Sequence, residues 1–188
     1  MPDLHVFLIT CCFISSGLFA LSCTKSFLSV CKLRKGFSAI AYFLTTVLMQ
    51  VLGTAVCIFV FDCRYLVPTI LLVHFSVSLL FTDSLWRMRY YTAGVHAFLF
   101  TASRTIITKL LSIVTNKEAP VFTTETTSET ALVPIAVLTA SFLITCLLER
   151  IALNACTVDG ARAPAFSPKM LNYLCVAVTL FLGFTLCE

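Results

Sequence analysis

Six long apolar stretches, separated by short polar connections, constrain this chain more than any other feature of its sequence. A transmembrane α-helix needs about 20 apolar residues to cross a hydrocarbon layer roughly 30 Å thick. We place the stretches at Leu4–Cys23, Phe37–Phe61, Tyr65–Phe81, Thr92–Thr115, Ala131–Leu148 and Leu171–Cys187. The third is short and the fourth contains charged residues. The sequence therefore predicts an all-α fold, a polytopic membrane bundle of six transmembrane helices forming one domain over 1–188.

The composition indicates that lipid, rather than water, surrounds most of the chain. Of the 188 residues, 59% are hydrophobic and 12% are charged, whereas soluble globular proteins carry about 25% charged residues. The first stretch has Asp3 where a signal peptide would have basic residues, so we interpret it as a retained helix. No basic run is interleaved with aromatic residues, and nucleic acid is therefore not an expected partner.

The basic residues between the stretches are distributed unevenly, and this predicts the orientation in the membrane. Alternate connections carry nine of them, Lys25, Lys32, Arg34, Lys35, Arg87, Arg89, Arg150, Arg162 and Lys169, against Arg64 and Lys117 in the others. Lysine and arginine in short loops are retained in the cytoplasm. We therefore expect a multi-pass protein of the cell (plasma or cytoplasmic) membrane with its amino terminus outside. The acidic connection Asn116–Thr130 would face outward, as solvated surface or as a contact for an external ligand.

Arg104 lies near the middle of the fourth stretch, where a charge is costly. On insertion scales an arginine at the centre of a span costs about 2.5–3.5 kcal/mol, so this helix needs polar neighbours. Thr101, Arg104 and Thr108 recur at helical spacing and share one face, which Thr105 and Ser112 continue.

Gln50 and His74 fall at a similar depth to Arg104 on the two preceding stretches. Three polar side chains at one depth suggest a shared interior cluster, and we take Arg104, His74, Gln50, Thr101 and Thr108 as the candidate ligand-binding residues. Two interpretations stay open: the side chains hold the helices together by hydrogen bonds, or they form a buried functional site. His96, nearer the inner end, is interpreted as an interfacial or packing residue.

Catalytic and metal-binding motifs are not expected in this chain. Walker A, HExxH, GxSxG and dinucleotide-binding patterns are absent from the sequence. Ten cysteines occur, but no CxxC pair and no zinc-type Cys/His spacing, so we predict neither a metal site nor a cofactor. Cys63 and Cys187 would both face the outer water, which leaves a disulfide between them open.

The segment from Phe81 to Val114 resembles the amino-terminal membrane sensors of GHKL-type histidine kinases, the group that includes peptide-quorum receptors. Phe81, Ser84, Arg87 and Arg89 match a short turn after an apolar helix, and Arg104 stands where those sensors more often have an acidic residue. The resemblance implies a sensory module. In that family a kinase domain follows the sensor, and here it would lie beyond residue 188.

Three functions fit these features. The first is a sensor or receptor-like membrane module without its own catalytic domain, which transmits a signal by helix rearrangement. The second is a small transporter or transporter subunit, in which Gln50, His74 and Arg104 line a polar path. The third is a structural or partner-binding membrane protein. Expected partners are membrane lipids, an external peptide or small molecule, and a second copy of the chain.

Overall fold

The structure is a computed structural model that describes residues 2–61, 65–115, 132–157 and 168–187. Six α-helices make up most of these residues. The helices are α1 (Pro2–Val30), α2 (Ala39–Phe59), α3 (Leu66–Phe81), α4 (Trp86–Thr115), α5 (Leu132–Thr157) and α6 (Pro168–Cys187). Within these ranges there is no β-strand, and the predicted all-α class is confirmed. The acidic connection Asn116–Thr130 and the pairing of Cys63 with Cys187 lie outside the described residues.

Four of the helices are long and apolar enough to cross a membrane by length and composition. The qualifying segments are Leu4–Val30, Ala39–Phe59, Trp86–Val114 and Leu132–Ile151. The remaining two apolar segments, Leu66–Phe81 and Asn172–Phe181, are shorter. At 1.5 Å per residue the 16 residues of α3 rise about 24 Å, less than the full hydrocarbon thickness.

Several helices continue beyond the apolar stretches that predicted them. Helix α1 continues past Cys23 to Val30, α4 begins at Trp86 rather than Thr92, and α5 runs past Leu148 to Thr157. Helical hydrogen bonds form within the segment itself, so a helix can continue through polar residues. Hydrophobicity indicates only the segment of a helix that suits a lipid environment. The predicted apolar stretches therefore end before α1 and α5 do and begin after α4 does.

The first five helices pack side by side in a closed ring, in the order α1, α2, α3, α4, α5 and back to α1. Helix α6 lies outside this five-helix ring, mainly against α4. Phe19, Phe100 and Phe142 meet inside the ring, with side-chain centroids 4.7 to 6.1 Å apart. All three are fully buried, and they join α1, α4 and α5 through apolar contact.

The connections 31–38 and 82–85 lie together at one end of the ring. The Arg34 amide donates to the Phe81 carbonyl at 2.9 Å, and the Asp83 amide donates to the Lys32 carbonyl at 2.9 Å. Gly36, with a φ of 90°, provides the left-handed turn that returns the chain toward α2. We call this the basic end, because Lys32, Arg34 and Lys35 lie in the first connection.

Candidate functional site

Gln50, a predicted site residue, is fully buried on α2. Its Nε2 donates to Thr54 Oγ1 at 3.3 Å, and Thr54 Oγ1 lies 2.9 Å from Ser16 Oγ on α1. The Gln50–Thr54 bond lies within α2, and the Ser16–Thr54 contact joins α1 to α2, as polar side chains do between membrane helices. Gln50 Oε1 is buried without a hydrogen-bond partner among the described residues, and a ligand-binding role for Gln50 stays a prediction.

Arg104, Thr101 and Thr108 are half-buried on α4. The buried face of this helix instead carries His96, Phe100 and Ser103, at the spacing of one helical stripe. Thr101 Oγ1 donates to the Ala97 carbonyl of its own helix at 2.9 Å. The predicted polar face is thus rotated away from the centre of the five-helix ring.

His74 is the predicted site residue that lies inside the ring, and it contacts His96 rather than the middle of α4. The two imidazole centroids are 5.4 Å apart in an edge-to-face arrangement. Arg104 follows His96 by about two helical turns, or about 12 Å along the axis. The structure therefore brings His74 together with a residue that the sequence analysis assigned to packing.

Cys23, His74, His96 and Glu149 converge from α1, α3, α4 and α5, and we call them the four-residue cluster. All four side chains are at most 2% exposed. Cys23 Sγ donates to Glu149 Oε1 at 3.2 Å, and His96 Nε2 lies 3.7 Å from the same oxygen. One donor atom each from Cys23, His74 and His96 lies within 4.8 Å of the other two. The cluster thus concentrates a thiol, two imidazoles and a carboxyl group where four helices meet.

Most polar atoms of the cluster have no hydrogen-bond partner among the described residues. The buried atoms without such a partner are both ring nitrogens of His74, both ring nitrogens of His96 and Oε2 of Glu149. Buried polar atoms in folded proteins are nearly always paired, and an unpaired one costs about 1–3 kcal/mol. Apart from the bond between Cys23 and Glu149, the cluster therefore lacks the internal hydrogen bonding that a purely structural polar core would need.

Aromatic side chains enclose the two histidines. The ring of Phe19 packs edge-to-face on His74 with centroids 5.7 Å apart, and Phe27 does the same on His96 at 5.3 Å. Both phenylalanines belong to α1 and are fully buried. These apolar surroundings lower the effective dielectric constant and so strengthen any electrostatic or coordinate interaction at the cluster.

The cluster lies closer to the basic end than to the opposite end. Cys23 precedes the end of α1 by about two turns, His74 precedes the end of α3 by the same amount, and His96 follows the start of α4 by nearly three. At 1.5 Å per residue these offsets correspond to about 10–15 Å. Three of the four helices therefore lead directly from the cluster into the paired connections 31–38 and 82–85.

Sequence reasoning missed Cys23, His96 and Glu149 as site residues. Their types were visible, since a histidine and a glutamate inside apolar helices are functional candidates in their own right. Glu149 was overlooked because it adjoins Arg150 at the predicted end of a span, and Cys23 because buried cysteine usually packs as a small apolar residue. Their proximity depends on α1 packing against α5, which no local spacing encodes.

Comparison with known proteins provides no relative from which a function could be transferred. A scan against protein-family models and searches of curated proteins and of solved structures return no match to this chain.

Proposed function

We propose that this protein is a multi-pass sensor module of the cell membrane, with six spans and its amino terminus outside, that binds a ligand at the four-residue cluster. Ligand binding rearranges the helices, and the basic end carries the change to the cytoplasmic side. The observation that supports this proposal most directly is that the buried ring nitrogens of His74 and His96 have no hydrogen-bond partner among the described residues. A bound ligand would supply the interactions that the protein itself does not.

The connection from the cluster to the basic end supports a sensor rather than a passive binding site. Cys23 and His74 lie on the helices that end in the paired connections, where Arg34 bonds to Phe81. A shift of α1 relative to α3 at the cluster must therefore change this pairing or move both connections together. The turn that carries the resemblance to kinase sensors is the connection 82–85 and its flanks, so the resemblance and the geometry concern the same end.

Enclosure of the cluster favours a sensor over the transporter alternative. Phe19 and Phe27 cover the imidazoles, and the cluster residues are almost fully buried. Such surroundings suit a site that retains its ligand, whereas a transport path has to open toward both sides in turn.

The test of this proposal is whether a change confined to the cluster reaches the basic end. We would reconstitute the protein in lipid nanodiscs and measure amide hydrogen exchange in peptides covering 31–38 and 82–85. Glu149→Gln keeps the shape of the side chain but changes its charge and hydrogen bonding. We expect exchange in both connections to change by about 5-fold or more, the lower end of typical coupling between sites.

Thr145→Val is the matched control, because it lies one turn before Glu149 on α5 and is equally buried. Thr145 Oγ1 donates to Ser103 Oγ at 3.1 Å, an ordinary interhelical hydrogen bond. Its loss should alter exchange near residues 103 and 145 and leave the basic end unchanged. Equal effects of both variants on the basic end, or no effect of Glu149→Gln, would contradict a signalling role for the cluster.

A further inference from the structure

The donor atoms of the four-residue cluster are the ones that proteins use to bind transition metals. Imidazole nitrogen, cysteine sulfur and carboxylate oxygen together bind zinc and its neighbours in the first transition series. Spacing motifs could not reveal this set, because each donor comes from a different helix. The sequence-based expectation that the chain has no metal site rested on spacing within short segments.

The separations between donors are close to those of a tetrahedral site. For zinc, bond lengths of about 2.0–2.3 Å place neighbouring donors about 3.3–3.8 Å apart. Glu149 Oε1 lies 3.2 Å from Cys23 Sγ and 3.7 Å from His96 Nε2. The donors of Cys23, His74 and His96 lie within 4.8 Å of one another, so a rotation of the imidazoles would bring them into range.

Charge balance at this depth selects the class of ion. A cysteine thiolate and a glutamate carboxylate carry two negative charges, which a divalent cation neutralises, while both imidazoles bind in their neutral form. A neutral complex avoids the large cost of leaving a net charge in a low-dielectric interior. A monovalent copper ion would leave one negative charge, and it prefers sulfur to a carboxylate.

We propose that Cys23, His74, His96 and Glu149 form a four-coordinate site for a divalent cation of the zinc class. The ion forms its coordinate bond to Cys23 Sγ as the S–H bond breaks and the thiol proton leaves to water. The unpartnered nitrogens of His74 and His96 supply two further bonds, and Glu149 supplies the fourth. This inference rests on the proposed function to the extent that it names the ligand to which the sensor responds.

Cobalt(II) is the probe for the test, because its spectrum reports both geometry and thiolate ligation. We would add it to the chelator-treated, full-length protein in nanodiscs and record absorption, then displace it with zinc. We expect one equivalent per chain, with tetrahedral visible bands and a sulfur-to-cobalt charge-transfer band in the near ultraviolet. A six-coordinate spectrum without the charge-transfer band in the wild-type protein would overturn the proposal, whatever the variants do.

Cys23→Ser identifies the sulfur, and Cys57→Ser is its matched control. Cys57 is also buried, but it lies on α2 and its Sγ is 3.4 Å from Thr69 Oγ1. Removing a residue that hydrogen-bonds to a metal ligand typically weakens binding 10–100-fold. Loss of a direct ligand should therefore weaken cobalt binding by at least about 100-fold. A charge-transfer band that survives Cys23→Ser, or that disappears in Cys57→Ser, would contradict the assignment.

Amide exchange separates this inference from the proposed sensor function. If zinc binds and the connections 31–38 and 82–85 respond, both proposals stand. If zinc binds tetrahedrally through Cys23 and the connections do not respond, the metal site stands and the sensor function fails. If no metal binds while Glu149→Gln still alters the basic end, the sensor function stands and the metal assignment fails.

Discussion

Replacing His74 with phenylalanine should stabilise the metal-depleted protein, and this reverses the usual effect of a core substitution. His74 contacts Phe19 and His96 through edge-to-face ring packing, which a phenylalanine can reproduce. Neither of its nitrogens has a hydrogen-bond partner in the described part of the chain. The substitution therefore removes two buried polar atoms and keeps the aromatic contacts.

The expected size of the effect follows from these contacts. Two unpaired polar atoms cost about 2–6 kcal/mol together. Fitting a slightly larger ring into a packed interior costs about 1–3 kcal/mol, and polar groups in membrane helices find some partners in the unfolded state as well. We expect the free energy of unfolding to rise by about 1–3 kcal/mol in His74→Phe. His74→Ala removes the same two nitrogens but leaves a cavity, so it should be less stable than His74→Phe by about 3–5 kcal/mol.

The measurement is reversible unfolding of the helices by detergent titration in mixed micelles, with and without chelator. In chelator, His74→Phe should be more stable than the wild type. With zinc at about 1,000 times its dissociation constant, binding adds about 4 kcal/mol to the wild type and far less to the variant, so the order should reverse. A destabilised His74→Phe in chelator would refute the reasoning, since it would show that the His74 nitrogens are satisfied in the membrane.

Two further predictions concern the elements that surround the cluster. A Cβ at Gly94 would lie 2.5 Å from both γ-carbons of Val178, so Gly94→Ala should weaken the packing of α6 on α4 by about 1–3 kcal/mol. Adding Val178→Ala to this variant should restore the lost stability. Gly183 has open space around it, so Gly183→Ala should have no such effect in the same detergent titration. Arg89 Nη2 donates to the Thr82 carbonyl at 2.8 Å. Arg89→Ala should therefore raise amide exchange in 82–85 by about 10-fold, in keeping with a charged hydrogen bond worth about 1.5–3 kcal/mol. Arg87→Ala, which loses a contact over the Trp86 ring, should change this exchange by less than about 5-fold.

The helices could be predicted from the sequence, because the property that defines them is local. An apolar stretch of sufficient length forms a helix in lipid, where every backbone hydrogen bond must be made within the segment. The third predicted span, Tyr65–Phe81, agrees with α3 to within one residue. What the stretches do not encode is which helix packs against which, and the five-helix ring is a property of the whole chain.

The placement of the site shows where this local information ends. Arg104 is the most conspicuous residue in the sequence, because it is a charge in the middle of an apolar stretch, and helical spacing places Thr101 and Thr108 on the same face. In the structure the buried stripe of α4 includes Phe100 and Ser103, one residue before Thr101 and Arg104. One residue corresponds to a rotation of about 100°, enough to move a predicted face from the interior to the flank. The ligand-binding role of Arg104, Thr101 and Thr108 stays a prediction.

The four-residue cluster draws its side chains from four different helices. The energetic cost of its buried polar atoms can therefore be linked to the proposed sensor function. A polar network within one or two helices could be satisfied by small side-chain movements and would not report on the remainder of the bundle. Here the donors belong to α1, α3, α4 and α5, so one ion bound by all of them would link these four helices. The buried nitrogens without hydrogen-bond partners favour loosening of the ring at this level, whereas an ion at the proposed site would favour its closure. Loosening and closure of the ring are therefore opposed at the cluster. A free-energy difference of a few kcal/mol between a loosened and a closed ring is small enough for a bound ligand to shift the equilibrium between them.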